Sequence, residues 1–228
     1  MSQANQHIIY TPHSKIDKQK WDACINHDPN GLLYAQSFYL DTLAGKWDAL
    51  VMNDYDGVMP LPVRKKMGIP YIFQPSMTPV LGVFGKAINT NFVGTFLQAI
   101  PASFKLWDIS LHHHNSIPGE SDYRIFPRNN YVLDLSGDYN SLEQQYHTNT
   151  KRNIAKAMSS GCTIKSDTTI DDVIAICRVE FPGFTKVEEG LFEKLKSIYL
   201  HYKNKSVTLG VLGPDGILSA ATFIFFNG

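Results

Sequence analysis

Lys151, Arg152 and Lys156 stand within one short stretch, His147-Thr-Asn-Thr-Lys-Arg-Asn-Ile-Ala-Lys-Ala-Met-Ser-Ser-Gly161. Cations at this spacing can hold an anion if the stretch is helical. A guanidinium grips a phosphate or carboxylate through two parallel donors, whereas an ammonium acts as a point charge. Residues four apart on a helix point together, so Arg152 and Lys156 make one basic face. At about 100° per residue, Leu142, Tyr146, Ile154, Ala157 and Met158 share the opposite, apolar face. Asn153 falls with the apolar residues, where a buried amide needs a partner. The plainer alternative is the solvated back of an ordinary amphipathic helix.

Other stretches carry weaker chemistry. Arg64-Lys-Lys66 is a second basic cluster, placed at the end of a hairpin. It can bind an anion, or it can simply keep an exposed strand edge from pairing. His112-His-His114 has the composition of a metal tract. Adjacent strand residues point to opposite faces, so three in a row cannot share one ion, and only Glu120 and Asp122 stand near; no metal is predicted. Cys24, Cys162 and Cys177 lack metal or redox spacing and are expected to be free thiols. No Ser-His-Asp or paired-carboxylate arrangement emerges, and no catalytic residue is assigned.

The elements that must position these residues follow from the pattern. The helix around Arg152 is expected to start at Asn140 or Ser141, with Glu143 or Gln144 three residues on, and to stop at Gly161. Upstream, short strands are expected at 7–11, 47–52, 58–65, 71–74, 104–111, 123–127 and 130–135, and after Leu32. Pro60 and Pro62 within 58–65 argue for an edge or a bulge. Helices are expected at 17–24, 37–43 and 89–100. Downstream come a strand at 162–166, helices at 170–180 and 188–202 broken by Pro182-Gly183, and a hairpin of 206–212 with 217–226. The order helix, helix, hairpin thus occurs twice, as in a repeated unit of domain size.

Bulk properties narrow the function classes. The chain has 228 residues, with 21 Lys+Arg and 21 Asp+Glu. There is no net basic field, so DNA is not an expected partner, and any nucleic acid must meet a local patch. The polar N-terminus has no apolar signal region, and no apolar run reaches the length of a membrane span. A cytoplasmic protein is expected.

Several stretches together resemble a known family. They are Tyr131-Val-Leu-Asp-Leu-Ser-Gly-Asp138, Leu142, and Lys151-Arg-Asn-Ile-Ala-Lys-Ala157 with Gly161. Upstream stand Asn30-Gly-Leu-Leu-Tyr-Ala-Gln-Ser-Phe-Tyr-Leu-Asp41 and Pro60-Leu-Pro-Val-Arg-Lys-Lys66 with Gly68, Pro70 and Tyr71. The chain closes on Gly216-Ile-Leu-Ser-Ala-Ala-Thr-Phe223. This set resembles the Fem-type peptidyl transferases and their FemAB-like relatives, within the GNAT-like acyltransferase superfamily. The Arg-Asn-Ile-x-Lys-Ala segment is its sharpest part.

The resemblance implies an α/β (α+β) protein of tandem GNAT-like domains with mixed, bent sheets. The first domain would span 1–137 and the second 138–228, the latter incomplete because its later half is missing. A fragment of a longer gene product is therefore expected. The implied reaction is acyl or aminoacyl transfer to an amino group, on a cell-wall or nucleotide-sugar precursor. Aminoacyl-tRNA or acetyl-CoA is the possible donor, and no resident cofactor is firmly implied. Arg152 and Lys156 would anchor anionic groups between the domains, with Lys151, Asn153, Arg64, Tyr34 and Gln36 as further substrate-binding candidates. Gly82-Val-Phe-Gly85 sits where such domains hold the coenzyme A pyrophosphate on backbone amides, although its spacing also suits a plain loop. The alternatives are a coenzyme A-dependent N-acetyltransferase of a polysaccharide precursor and a catalytically silent binding module.

Overall fold

The computed structural model describes residues 7–86, 90–117, 123–180 and 190–225. Glu120, Asp122, the Pro182-Gly183 break and the first residues of the helices expected from 89 and 188 lie outside these. The chain divides into two compact units, one reaching Phe126 and the other starting at Pro127. Residues 127–137, assigned from sequence to the first domain, group with the second unit.

The first unit is organised by β2 (Trp47–Met52), a strand buried at every position. It pairs antiparallel with β1 (Ile8–Thr11) and with β3 (Gly57–Lys66), and β3 continues to β4 (Ile69–Ile72). A strand buried throughout needs cover on both faces, because successive side chains alternate. Trp47, Ala49 and Val51 pack with Trp21, Cys24 and Ile25 of α1 (Lys18–His27) and Leu40 of α2 (Ser37–Leu43). Leu50 and Met52 pack instead with Val93, Phe96 and Leu97 of α3 (Thr90–Gln98). Helix α1 buries residues at i, i+3 and i+4, and the Asp17 carboxylate caps it by accepting from the Gln19 and Lys20 amides. The two central indoles lie 4.7 Å apart. Trp21 donates to the Ala35 carbonyl at 2.8 Å and Trp47 to Asp41 at 2.9 Å, so neither buries an unpaired N–H.

Pro60 and Pro62 sit in β3, which has a neighbour on each side. β4 pairs with Val63 to Lys66. Val63 donates to Lys46 on the β2 side, while Val58 donates to Phe84 on the other. Even-numbered residues of β3 thus turn their amide positions away from β2, toward the side where Phe73, just past β4, donates to the Pro62 carbonyl at 3.1 Å. The missing N–H groups of Pro60 and Pro62 therefore cost the β2 ladder no donor.

In the second unit, β5 (Thr163–Lys165), β6 (Ser206–Leu212) and β7 (Leu218–Phe225) form an antiparallel sheet in that order. Helix α6 buries Ile170, Val173 and Ile174 at i, i+3 and i+4; it spans Ile170–Glu180. That face meets Phe223 and Ala221 of β7 and Phe192 and Tyr199 of α7 (Leu191–His201). The other side of the sheet shows Ile164, Val211 and Ile224 to solvent. Two helices precede the sheet, α4 (Tyr139–Gln144) and α5 (Thr148–Ser159).

Four strand expectations are corrected. Residues after Leu32 form a 3-10 turn, Leu33–Ala35, followed directly by α2. Residues 104–111 bond to Ile72 and Leu81, which belong to different segments, so two isolated parallel bridges form in place of a ladder. Residues 123–127 and 130–135 form no strand, and Tyr131 is 89% exposed. An alternating pattern favours a strand only where a neighbour supplies the hydrogen bonds.

Candidate functional site

Helix α5 carries the basic pair. It starts at His147, whose Nδ1 accepts from the Asn149 amide at 3.2 Å. It stops as expected at Gly161, with φ at +86° and the Cys162 amide reaching back to the Ala157 carbonyl at 3.1 Å. The single helix expected from Asn140 or Ser141 is in fact two. Asp138 caps α4, its carboxylate accepting from the Ser141 amide at 2.9 Å, and His147 caps α5 separately. Side chains that satisfy free amides at two points give two starts.

The side chains of α5 differ in what they hold. Lys151 donates to the Gln144 carbonyl at 3.2 Å, fixing α5 against the negative end of α4. The Arg152 and Lys156 side chains are exposed and make no hydrogen bond or ion pair with the described residues. Asn153 is exposed rather than buried among apolar neighbours, and no residue of α5 is buried. The face expected to bury Ile154 and Met158 leaves them 42% and 71% exposed. An amide in water needs no protein partner, so the structural demand on Asn153 disappears.

The other candidates lie in the first unit. Arg64 is exposed opposite Tyr71 in the ladder, and its guanidinium covers the Phe73 ring at 4.0 Å. Tyr34 is half-buried, its ring 5.4 Å from that of Tyr39, against the α1 side of the core. Tyr39 is buried and donates its hydroxyl to the Met77 carbonyl. Gln36 donates to the Asn26 side chain at 2.9 Å and occupies the N-cap position of α2. These contacts hold Tyr34 and Gln36 in the framework of the unit.

The Gly82–Gly85 loop is filled by the protein itself. The Val83 amide donates to Asn115 Oδ1 at 2.6 Å, and Asn115 Nδ2 donates to the Val83 carbonyl at 3.1 Å. Phe84 exchanges backbone bonds with Val58, and the Gly85 amide donates to the Asp28 carboxylate at 2.8 Å. Three successive amides are therefore committed to internal acceptors. A pyrophosphate would have to displace all of them. A Cβ at Gly82 would stand 2.1 Å from Asn115 Oδ1, at a φ of +139°, so this glycine serves the approach of Asn115.

Sequence reading missed the groups that build this loop. Asp28 and Asn115 are both buried, and Asp28 also accepts from the Asn30 amide at 2.7 Å. The turn-forming run Asn26-His-Asp-Pro-Asn-Gly31 was the available signal for Asp28; nothing local marks Asn115. A second buried carboxylate, Asp48, accepts from the Tyr10 hydroxyl at 2.6 Å and the His13 amide at 2.9 Å. Burial, then the Asp48 bond, pushes the Tyr10 phenol above its ordinary range.

His112 is buried and stacked on Phe84, with ring centroids 5.1 Å apart. Its Nδ1 accepts from the His114 amide at 3.3 Å. Among the described residues, no three His, Cys, Asp or Glu side chains gather as a metal-ligand group. Cys24, Cys162 and Cys177 are unpaired, and burial pushes the Cys24 thiol up to about 11. That thiol is a neutral packing group rather than a nucleophile.

Among solved structures, the crystal structure of FemX matches 90% of this chain at a TM-score of 0.53 and 14% identity. The fold resembles that of FemX. The chain spans 57% of the FemX chain, little more than half its length. No protein-family model and no curated protein matches the sequence. At this identity the likeness to FemX concerns the fold alone. It agrees with the antiparallel sheets and flanking helices described above, a mixed α/β arrangement. Among the described residues, no helix is long and apolar enough to cross a membrane.

Proposed function

We propose that this chain belongs to a FemAB-like acyltransferase that moves an acyl or aminoacyl group onto an amine, on a cell-wall or nucleotide-sugar precursor. The observation that carries the reading is the pair of uncommitted cations on α5, within a FemX-like fold. The resemblance of Lys151-Arg-Asn-Ile-Ala-Lys-Ala157 to the Fem-type peptidyl transferases supports it. So does the contrast with Lys151, whose ammonium is already committed.

In this reading, Arg152 grips an anionic oxygen pair and Lys156 adds a point charge one turn on. Their task is to hold substrate so that the amine approaches the acyl carbon in a productive geometry. The amine must lose a proton as the new bond forms. No side-chain base is assigned, so the proton leaves through substrate or water. The reading places chain segments 1–137 and 138–228 in tandem acyltransferase-like domains.

The donor decides between the two enzymatic routes. The committed amides of Gly82–Gly85 favour aminoacyl-tRNA over acetyl-CoA. The test is consumption of radiolabelled aminoacyl-tRNA by the purified protein in the presence of a nucleotide-sugar precursor. Turnover that depends on Arg152 supports the reading. No turnover, with thermal stabilisation by acetyl-CoA, would replace it with the coenzyme A route. Failure of both while the precursor still binds would leave a binding module.

A further inference from the structure

The first unit contains a cavity of about 530 Å³ between α1 and the β2–β3 hairpin. It shares no residue with the basic helix α5. Its volume is within the range of small-molecule sites. Cys24 and Met52 are buried in its wall and Phe92 is half-buried, which gives an apolar interior. Its rim is polar: Lys86 and Asp56 are exposed, together with the ion pair of Lys20 and Asp54.

The charges of the rim are not equivalent. Lys20 donates to both Asp54 oxygens, at 2.6 and 2.8 Å, so these two neutralise each other. Lys86 has no hydrogen bond or ion pair among the described residues. Asp56 accepts only a neutral amide, from Asn53 at 2.9 Å. His27 engages the Ala23 carbonyl through Nδ1 at 2.6 Å, leaving Nε2 as a further acceptor. Among the described residues, the cavity therefore offers one uncommitted cation, one carboxylate without a cationic partner, and an apolar interior.

The hairpin tip at this mouth is held in an unfavourable backbone. Asn53 and Tyr55 adopt φ of +52° and +67°. A bulky residue in the left-handed region is strained. Outside contacts hold the tip in place. The Tyr55 hydroxyl accepts from the Asp17 amide at 2.7 Å, and the Asn53 amide donates to the His7 carbonyl at 2.9 Å. Strain of this kind, maintained by surrounding structure, gathers at binding sites.

We infer that this cavity binds a small zwitterion with an apolar body, of the amino-acid type. Lys86 receives its carboxylate, and Asp56 with His27 Nε2 receives its ammonium. A simple anion would meet the unneutralised Asp56, and a simple cation would meet Lys86. The zwitterion satisfies both while its side chain fills the interior. This site stands or falls independently of acyl transfer, since it shares no residue with α5.

The test is calorimetric titration of the whole chain with L-phenylalanine, 3-phenylpropionate and phenethylamine. The latter two lack the ammonium and the carboxylate respectively. The expected result is saturable phenylalanine binding, at least tenfold tighter than either analogue. Lys86→Met should weaken phenylalanine at least tenfold and leave phenethylamine unchanged. Asp56→Asn should weaken phenylalanine and leave phenylpropionate unweakened. Both positions are exposed, and the melting temperature of each free variant verifies folding. Absence of phenylalanine binding at millimolar concentration would overturn the inference. So would equal affinity for all three probes, or indifference of phenylalanine affinity to both substitutions in folded protein.

Discussion

The Gly85 amide donates to the Asp28 carboxylate at 2.8 Å, across 57 residues of chain and inside the core of the first unit. The carboxylate occupies a position that an external anion would otherwise take at this loop. It also holds the Asn30 amide, and so joins the loop after α1 to the loop before α3. What resembles a phosphate cradle in sequence is a clasp in structure.

Removing that clasp should destabilise the first unit. Asp28→Ala leaves the Gly85 amide buried without an acceptor, a loss of about 1–3 kcal/mol. Asp28→Asn keeps one side-chain oxygen and should lose less. All three tryptophans, Trp21, Trp47 and Trp107, lie in this unit, so urea denaturation followed by indole fluorescence reads it selectively. Equal midpoints for wild type and Asp28→Ala would show that water replaces the carboxylate without loss.

Gly82 and Gly45 make a paired comparison. Both have positive φ, at +139° and +71°. A Cβ at Gly82 also collides with Asn115 Oδ1 at 2.1 Å, whereas one at Gly45 meets nothing within 4 Å. Gly45→Ala should cost only the backbone strain, about 1–2 kcal/mol. Gly82→Ala adds a steric conflict and a displaced Asn115, and should cost about 2–5 kcal/mol. The same fluorescence-detected denaturation measures both, and similar losses would mean that Asn115 moves freely.

The parts of this fold legible in sequence are those set by local rules. The helix from Asp17, the Gly161 stop, the hairpin of β2 and β3 and helix α6 each depend on residues close together in the chain. What sequence concealed depends on distant partners. The residues from Tyr131 to Leu135 alternate like a strand, yet no ladder among the described residues takes them up. Glycines at 82 and 85 suggest a phosphate loop until Asn115 and Asp28 arrive from elsewhere. The basic pair on α5 was legible because residues four apart share a face wherever a helix forms; the exposure of the opposite, apolar face was not, since exposure depends on what else packs there.

His112 should make the stability of the first unit depend on pH. Burial lowers its pKa below the ordinary 6.5; the Val83 carbonyl acts against this, His114 adds to it, Asp28 acts against it and His113 adds to it. As pH falls through about 6.5, the unfolded chain takes up the proton first. The contribution is therefore intact above that value and is lost progressively below it, until the folded imidazole also protonates. Protonation at Nδ1 would also remove the acceptor for the His114 amide. Urea midpoints measured from about pH 7.5 to 5.5 should fall more steeply for wild type than for His112→Gln, which retains an acceptor. Parallel slopes would assign the pH dependence to other groups.

The three cations of α5 should separate by function. Lys151 is committed to the Gln144 carbonyl, and the bond is exposed, so Lys151→Ala should change stability by no more than about 0.5 kcal/mol. It should leave anion binding nearly intact. Arg152→Ala removes an uncommitted guanidinium and should weaken binding of a nucleotide diphosphate-sugar by about 1–3 kcal/mol, the value of a charged hydrogen bond. Lys156→Ala should follow with a smaller loss, as a point charge in water contributes less than a bidentate fork. Arg152→Lys distinguishes geometry from charge: if the fork matters, the lysine variant stays weak, whereas full recovery means that charge alone suffices. Calorimetric titration with a uridine diphosphate-sugar at two salt concentrations measures the series, because contributions from exposed charges shrink with screening. Equal affinities across Lys151→Ala, Arg152→Ala and Lys156→Ala would return all three residues to a solvated helix face.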